Sequence, residues 1–312
     1  MSKISVIGAG AVGTATAYAL LIKEAASEIV LYDIATEKVD AEVLDLAHGT
    51  LFTGFSRISG GSEIKSTADS DLIIVTAGAK QKPGQTRLDL ASTNVEILKR
   101  LLPELLQHSP SAIIMLVTNP CDVLAVVAQK ITGLPASRIF ASGTVLDSAR
   151  LRWVIAERFK VSNNSVHAYI VGEHGDSEFA LWSQTRIGPV PITDWELAPG
   201  VVIAQQELDQ MALDVKNAAY KVIAGKGATN YAIGLSATRI AQAILTDSND
   251  VLSVSSVLEN YLGVSGVALS VPTVVNRHGA YRAVEVPMTH LEHTSFLASA
   301  AAIQKALRTL GY

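Results

Sequence analysis

The sequence predicts an α/β fold, a doubly wound parallel sheet followed by an α+β half. Three observations carry this: short β-branched runs alternate with helical patterns in the first half, those runs are apolar almost without interruption, and the rhythm changes from Thr144 onward. Strands that alternate with helices build a parallel sheet with helices on both faces. Burial on both faces explains why the strands show no polar alternation.

In chain order the predicted strands are "ISVIG", "EIVLYD", "DLIIVTAG", "AIIMLVTNP" and "RIFASG". Between them fall a helix from Val12, a helix through Val39 and Leu46, a loop with a helix around Val95 to Leu106, and a helix near Val123 to Ile131. The second half opens with a long helix from Thr144 to about Phe159, then the strand "VHAYIV" and a Pro-rich segment at 188–199. Helices around Val201 to Ala224 and Ala228 to Leu245 follow, and "VALSVPTVVN" with "GAYRAVEV" reads as a hairpin turning at "RHGA". Thr289 and Glu292 predict a capping box before the last helix. The boundary falls near Gly143, giving units 1–143 and 144–312.

A chain of 312 residues exceeds the usual size of one core. Apolar residues make up 49% and charged residues 17%, against a typical charged share of about 25%. So little polar surface predicts a subunit interface. Net charge is −4 with Lys and Arg scattered, which leaves no basic footprint for nucleic acid and points to small-molecule partners. A single cysteine, Cys121, excludes an internal disulfide and favours a reducing compartment. No run reaches the roughly 18 apolar residues of a membrane span. After Met1, "SKISVIG" is already a strand rather than a signal peptide, so a cytoplasmic location is expected.

"VIGAGAVG" holds Gly8, Gly10 and Gly13 in the spacing G-x-G-x-x-G, directly after a strand and opening a helix. Gly8 permits the tight turn, Gly10 lets the backbone approach a pyrophosphate, and Gly13 lets helix and strand pack closely. The helix amino terminus adds unpaired N–H donors for the phosphates. Glycine turns open many helices without binding anything, so the next strand matters: it ends at Asp33, twenty residues after Gly13. A carboxylate there suits an adenosine ribose and repels the extra phosphate of NADP, so the first unit reads as a Rossmann-type domain for NAD.

In an open parallel sheet the ligand crevice lies beyond the carboxyl ends of the strands. Polar residues just past those ends are Gln81, Lys82 and Arg87 in "AGAKQKPGQTR", Asn119 in "VTNP", Ser142 in "ASGT" and His174 in "GEHGD". Asp147 and Arg150 share a helix face at i, i+3 spacing. Hydride transfer to a 2-oxo acid needs parts of these kinds. A protonated imidazole can donate to the ketone oxygen as charge develops there. A buried carboxylate would fix its tautomer, and guanidinium groups would polarise the carbonyl and grip a carboxylate through paired bonds. Taken singly, Asp147 with Arg150 equally suits a surface ion pair, Arg87 a solvated loop and Asn119 a helix cap.

Together, "VIGAGAVG", "LYDI", "AGAKQKPGQTRLDL", "VTNP", "GTVLDSARLR", "GEHGDSE" and "KGATNYAIG" resemble the L-lactate and malate dehydrogenase family in order and interval, over essentially the whole chain. The resemblance implies that His174 is the general acid in pyruvate reduction and the base in lactate oxidation, with Asp147 as its partner. It implies that Arg87 polarises the carbonyl from a mobile loop flanked by Gly78 and Gly84, and that Arg150 binds the carboxylate. Asn119 would orient substrate, Thr229 and Ile233 would border substrate and nicotinamide, and Ser142 would lie near the carboxamide. Gly8, Gly10, Val12, Gly13, Asp33, Thr76, Gly78, Asn119, Ser142 and Ile233 are the expected NAD contacts. Glu173 and Asp176 are expected to shape the loop rather than carry protons.

Malate enzymes of this family carry arginine where Gln81 stands, because a second carboxylate needs a counter-charge. A neutral amide there favours pyruvate and L-lactate. Arg152 and His167 match the positions that bind fructose 1,6-bisphosphate between subunits in allosteric bacterial members; read alone, they are a solvated helix charge and a strand histidine. The resemblance also implies a homotetramer without an amino-terminal arm to stabilise it. A malate or branched 2-hydroxy acid dehydrogenase is the nearest alternative, and a non-catalytic NADH-binding protein is one from another class. No metal is expected: His290 and His293 share a helix turn without further ligands nearby in sequence, and Cys121 reads as a small packed residue.

Overall fold

The computed structural model describes residues 2–79 and 87–312, without the side chains of Arg87 and Leu88. The first half runs β1 (Lys3–Ile7), α1 (Ala11–Ile22), β2 (Glu28–Tyr32), α2 (Thr36–His48), β3 (Arg57–Gly61), β4 (Leu72–Val75), α3 (Arg87–His108), β5 (Ile113–Leu116), α4 (Cys121–Thr132) and β6 (Ile139–Ala141). The second half runs α5 (Val145–Phe159), β7 (Val166–His167), β8 (Ile170–Val171), β9 (Phe179–Ala180), β10 (Arg186–Ile187), β11 (Val190–Pro191), β12 (Glu196–Ala198), β13 (Val201–Val202), α6 (Gln205–Lys226) and α7 (Tyr231–Leu245). It closes with β14 (Asp250–Leu252), β15 (Ser255–Val257), β16 (Ala268–Ser270), β17 (Thr273–Asn276), β18 (Gly279–Ala283) and α8 (His290–Thr309).

The central sheet has the order β3-β2-β1-β4-β5-β6-β15-β16. Its first six strands are parallel and its last two antiparallel. From β1 the chain steps outward to β3, then returns to β4 on the other side of β1. That reversal opens a crevice beyond the carboxyl ends of β1 and β4.

Both faces of the sheet are covered. Ile73, Ile114 and Leu116 pack with Leu98 of α3, Val127 of α4 and Phe296 of α8. On the other face Ile4, Val6 and Ile74 pack with Leu20 of α1 and Ile240 of α7. Each fully buried aliphatic side chain contributes about 1.5–3 kcal/mol, so the uninterrupted apolar strands follow from having no wet face. Leu151 and Ile155 of α5 meet Leu208, Met211 and Val215 of α6 in a separate core. Among the described residues no helix is long and apolar enough to cross a membrane.

Several elements differ from their sequence-based expectation. Val201 and Val202 do not start a helix; they pair with Glu196–Ala198 across Gly200, whose φ of +72° makes the turn, and α6 begins at Gln205. The next helix starts at Tyr231 rather than Ala228, because Gly227 at φ +84° ends α6 in a left-handed cap. "VHAYIV" splits into β7, which joins β10, and β8, which joins β9. "VALSVPTVVN" breaks around Pro272, which has no N–H to donate, so β16 extends the central sheet while β17 pairs with β14 and β18. The turn at "RHGA" and the capping box form as expected: Asn276 pairs with Gly279, and Glu292 N donates to Thr289 Oγ1 at 3.2 Å. Cys121 is packed, and burial pushes its thiol well up. His293 lies half-buried with Nε2 3.2 Å from the Leu262 carbonyl.

Candidate active site

β1 delivers the chain to Gly8, which turns at φ +104°. A Cβ at Gly8 would lie 2.8 Å from Ala77 N, and one at Gly13 would lie 1.7 Å from Gly8 O, so strand, turn and α1 close only with glycine at both positions. Gly10 has nothing within 4 Å of such a Cβ. That open space meets the start of α1, which has no side-chain cap, with Val12 in its first turn. The Asp33 carboxylate is fixed beside the loop by Ala9 N at 2.6 Å and Ala35 N at 2.9 Å. Thr76 braces the loop from β4 by donating to Ile7 O at 2.9 Å and Gly8 O at 3.1 Å. An open cradle over Gly10 and the N–H donors of the uncapped start of α1 suit a pyrophosphate, and the fixed Asp33 carboxylate can accept from ribose hydroxyls, which together are what a dinucleotide requires.

The walls of the crevice come from neighbouring strand ends. A Cβ on Gly78 would press 2.4 Å from Thr118 Cγ2, which holds the chain after β4 tight against the chain after β5. Asn94 of α3, buried, ties the same segments: its Oδ1 accepts from Ala79 N and its Nδ2 donates to Asn119 O, each at 2.8 Å. Asn119 precedes Pro120 through a cis peptide bond. Ser142 lies just past β6, where its N–H donates to Leu116 O at 2.9 Å. Thr229 and Ile233 flank the start of α7. Gly234 lets α7 ride on α1, with a Cβ there only 2.7 Å from Ala15 O.

His174, Asp147 and Arg150 come together. His174 Nδ1 is 2.6 Å from Asp147 Oδ2, and Arg150 Nη1 donates to Asp147 Oδ1 at 2.7 Å. Asp147 keeps 2% of its side chain exposed and His174 27%, so the carboxylate is sealed behind a ring that still meets solvent. With Nδ1 turned to the acid, Nε2 is the ring nitrogen without a hydrogen bond among the described residues. The Asp147–Arg150 pair is therefore no surface salt bridge, and it takes one of five guanidinium donors.

Electrostatics favour an imidazolium. Burial lowers the His174 pKa, but Asp147, Asp122 and Glu178 outweigh it and raise it to about 9. Burial alone would raise Asp147; His174 and Arg150 hold it below the usual carboxylate range. Two acids here escaped sequence reasoning. Asp122, in the first turn of α4, accepts from His174 N at 2.8 Å and is pushed up to about 6, chiefly by burial. Glu178, four residues past His174, has a carboxylate oxygen within 4.8 Å of both the imidazole and the Asp147 carboxylate. Glu173 instead accepts from Ser177 in its own loop.

Arg152 and His167 lie elsewhere, both lining a cavity of about 510 Å³ with Tyr169 and Arg239. Arg152 Nε donates to Ala168 O at 3.0 Å, and its guanidinium sits 5.2 Å from the Tyr169 ring centroid. Gln81, Lys82 and Gly84 lie outside the described residues, as does the side chain of Arg87.

Comparison with known proteins agrees with this geometry. The family model for the lactate/malate dehydrogenase NAD binding domain matches residues 2–141, and that for the lactate/malate dehydrogenase alpha/beta C-terminal domain matches residues 144–310. An L-lactate dehydrogenase of Bifidobacterium animalis subsp. lactis is 47% identical, with 100% of this chain and 98% of the relative covered. One of a Synechococcus species is 46% identical, with 99% of each covered. The ligand-bound minor L-lactate dehydrogenase of Enterococcus mundtii superimposes with a TM-score of 0.94 at 39% identity, over 99% of this chain and 98% of the other.

Proposed function

The chain belongs to the lactate/malate dehydrogenase family, and from that premise we propose that it interconverts pyruvate and L-lactate with His174 as the proton carrier. Its cofactor is NAD, which supplies the hydride donor or acceptor when bound. The pyrophosphate fits over Gly10 and the first turn of α1, and Asp33 suits the adenosine ribose; Val12, Gly13, Thr76, Gly78, Asn119, Ser142 and Ile233 complete the proposed contacts. The observation that carries the reading is the 2.6 Å bond from His174 Nδ1 to a buried Asp147 carboxylate. It holds the ring cationic, so that Nε2 donates as the ketone oxygen of pyruvate gains charge and takes the proton back in lactate oxidation. Arg150 grips the substrate carboxylate, Arg87 polarises the carbonyl, and Asn119 and Thr229 orient the substrate. Residues 1–143 thus supply most of the cofactor contacts and lend Arg87 and Asn119 to the substrate, while 144–312 supply His174, Asp147, Arg150 and Thr229.

NADH oxidation followed against pyruvate and, in parallel, oxaloacetate tests this reading; a preference for oxaloacetate would overturn the assignment of substrate. Gln81 bears on the same choice. Gln81→Arg is expected to raise the oxaloacetate-to-pyruvate ratio of kcat/KM by about a hundredfold or more, because an unpaired second carboxylate costs several kcal/mol. An unchanged ratio would remove Gln81 from substrate selection.

Regulation and assembly belong to the same proposal. A cavity that gathers Arg152, His167 and Arg239, the last paired with the Asp250 carboxylate at 2.6 Å, offers Arg152 and His167 to a polyanion such as fructose 1,6-bisphosphate. Arg152→Ala is expected to abolish any shift of the pyruvate saturation curve by that compound; activation that persists would place the anion elsewhere. Tyr18 and Ile22 of α1, Phe52 in the turn after α2 and Tyr231 of α7, each about half exposed or more, line one cavity together with Glu24, Glu42 and Asp45. Such exposed apolar side chains support association between copies of this chain, and a homotetramer acting in the cytoplasm is the assembly this reading expects.

A further inference from the structure

Resting on the reading of His174 as proton carrier, we propose that Glu178 is a positioning residue that must hold a proton for the site to accept the substrate monoanion. Substrate capture in the reducing direction then uses two protons, one on His174 and one on Glu178, of which only the first is transferred.

The placement is specific. Glu178 ends the His174 loop just before β9, and its N–H closes a turn on Gly175 O at 3.4 Å. This turn brings a carboxylate oxygen within 4.8 Å of the imidazole and of the Asp147 carboxylate, although Asp147 lies on another element. Among the described residues, Arg150 from α5 and Lys216 from α6 act on Glu178 along with His174 and Asp147, and Asp122 from α4 acts on His174. Asp147 already has its two oxygens committed to His174 and Arg150. Glu178 is thus a second acid beside one imidazole, in a site whose task is to admit an anion.

Two carboxylates at this separation disfavour joint ionisation. Asp147 holds its charge through His174 and Arg150, so the proton falls to Glu178: burial first, then Asp147, raise its pKa to about 8. Ionising Glu178 subtracts one unit of charge where the substrate carboxylate must sit near Arg150. It also favours the imidazolium, since Glu178 is among the groups that raise His174. Pyruvate affinity should therefore fall as Glu178 loses its proton, while the base form of His174 needed for lactate oxidation is suppressed.

The experiment is the pH dependence of KM for pyruvate at saturating NADH, and of lactate oxidation at saturating NAD, in the wild type, E178Q and E178D. Glutamine mimics the neutral acid in shape and donor capacity. In the wild type, log KM for pyruvate is expected to rise with a limiting slope of about two above the His174 value of about 9. E178Q should limit that slope to about one, lower KM severalfold near pH 9, with about tenfold as the ceiling because the accompanying fall of His174 offsets part of the gain, and move the acid limb of lactate oxidation to lower pH. E178D should restore the steeper slope, which packing alone does not explain. A wild-type slope of about one, or E178Q curves that overlie the wild type, overturns the role of Glu178 and leaves the dehydrogenase intact. A wild type that does not reduce pyruvate overturns the functional reading and this inference with it.

Discussion

His174→Asn is expected to lower kcat for pyruvate reduction by about 10²–10⁴-fold, the usual contribution of a positioned general acid. Asparagine fits the space and can still accept or donate a hydrogen bond, but it has no proton to give at neutral pH. The glycine loop that serves NAD is built from β1, α1 and Thr76, with no bond to His174. NADH binding, followed by its fluorescence, should therefore survive while turnover collapses. Because the effect belongs to proton transfer, it should appear in kcat and kcat/KM together. A variant that keeps more than about a tenth of wild-type kcat would mean that water or another group supplies the proton.

The parts of this site that the sequence shows are those whose chemistry is local. Gly8, Gly10, Gly13 and Asp33 lie within one strand-helix-strand stretch, and each does what its position demands of the backbone. The His174–Asp147 pair spans 27 positions, so only chemical need and family resemblance joined the two in advance. Asp122 gave no such signal: in "NPCDVL" an acid in a first helical turn is already explained by the helix dipole. Nothing in the sequence sets Glu178 apart from other loop acids, or Asn94 from other polar residues of a helix.

The fold was legible for the same reason. Long apolar strands between helices announce a sheet, but β3, "RISGG", does not. Its two glycines lower strand propensity, and Gly60 is needed because a Cβ there would strike Leu31 O at 1.9 Å. β15 has three residues, too few to show a period, and β16 reads in the sequence as one hairpin strand with β17, so the addition of both to the sheet edge came only with the structure.

Asp147→Asn is expected to weaken pyruvate reduction more as pH rises from neutrality. Of the groups that raise His174, Asp147 is the largest, while burial acts the other way. Without the carboxylate, the imidazole pKa should fall from about 9 to its ordinary 6.5 or below. Near pH 8 the protonated fraction would then drop about thirtyfold, and KM for pyruvate should rise accordingly.

The sign for stability follows from the same shifts. A histidine raised by its partner stabilises the fold fully below about pH 6.5, and that contribution is lost as pH rises through about 9. Asp147, held below its ordinary value, contributes above about pH 4 and loses its contribution under more acidic conditions. The wild type should therefore gain most over Asp147→Asn between these limits, by about 3–5 kcal/mol, because the variant leaves Arg150 and His174 without their buried counter-charge. Urea unfolding at about pH 5, 7 and 10 measures this directly. The gap should be large at neutral pH and narrower at pH 10, where His174 is neutral in both proteins. A gap equally large at pH 10 would show that Asp147 stabilises the fold through Arg150 alone, and the rise of His174 to about 9 would lose its assigned cause.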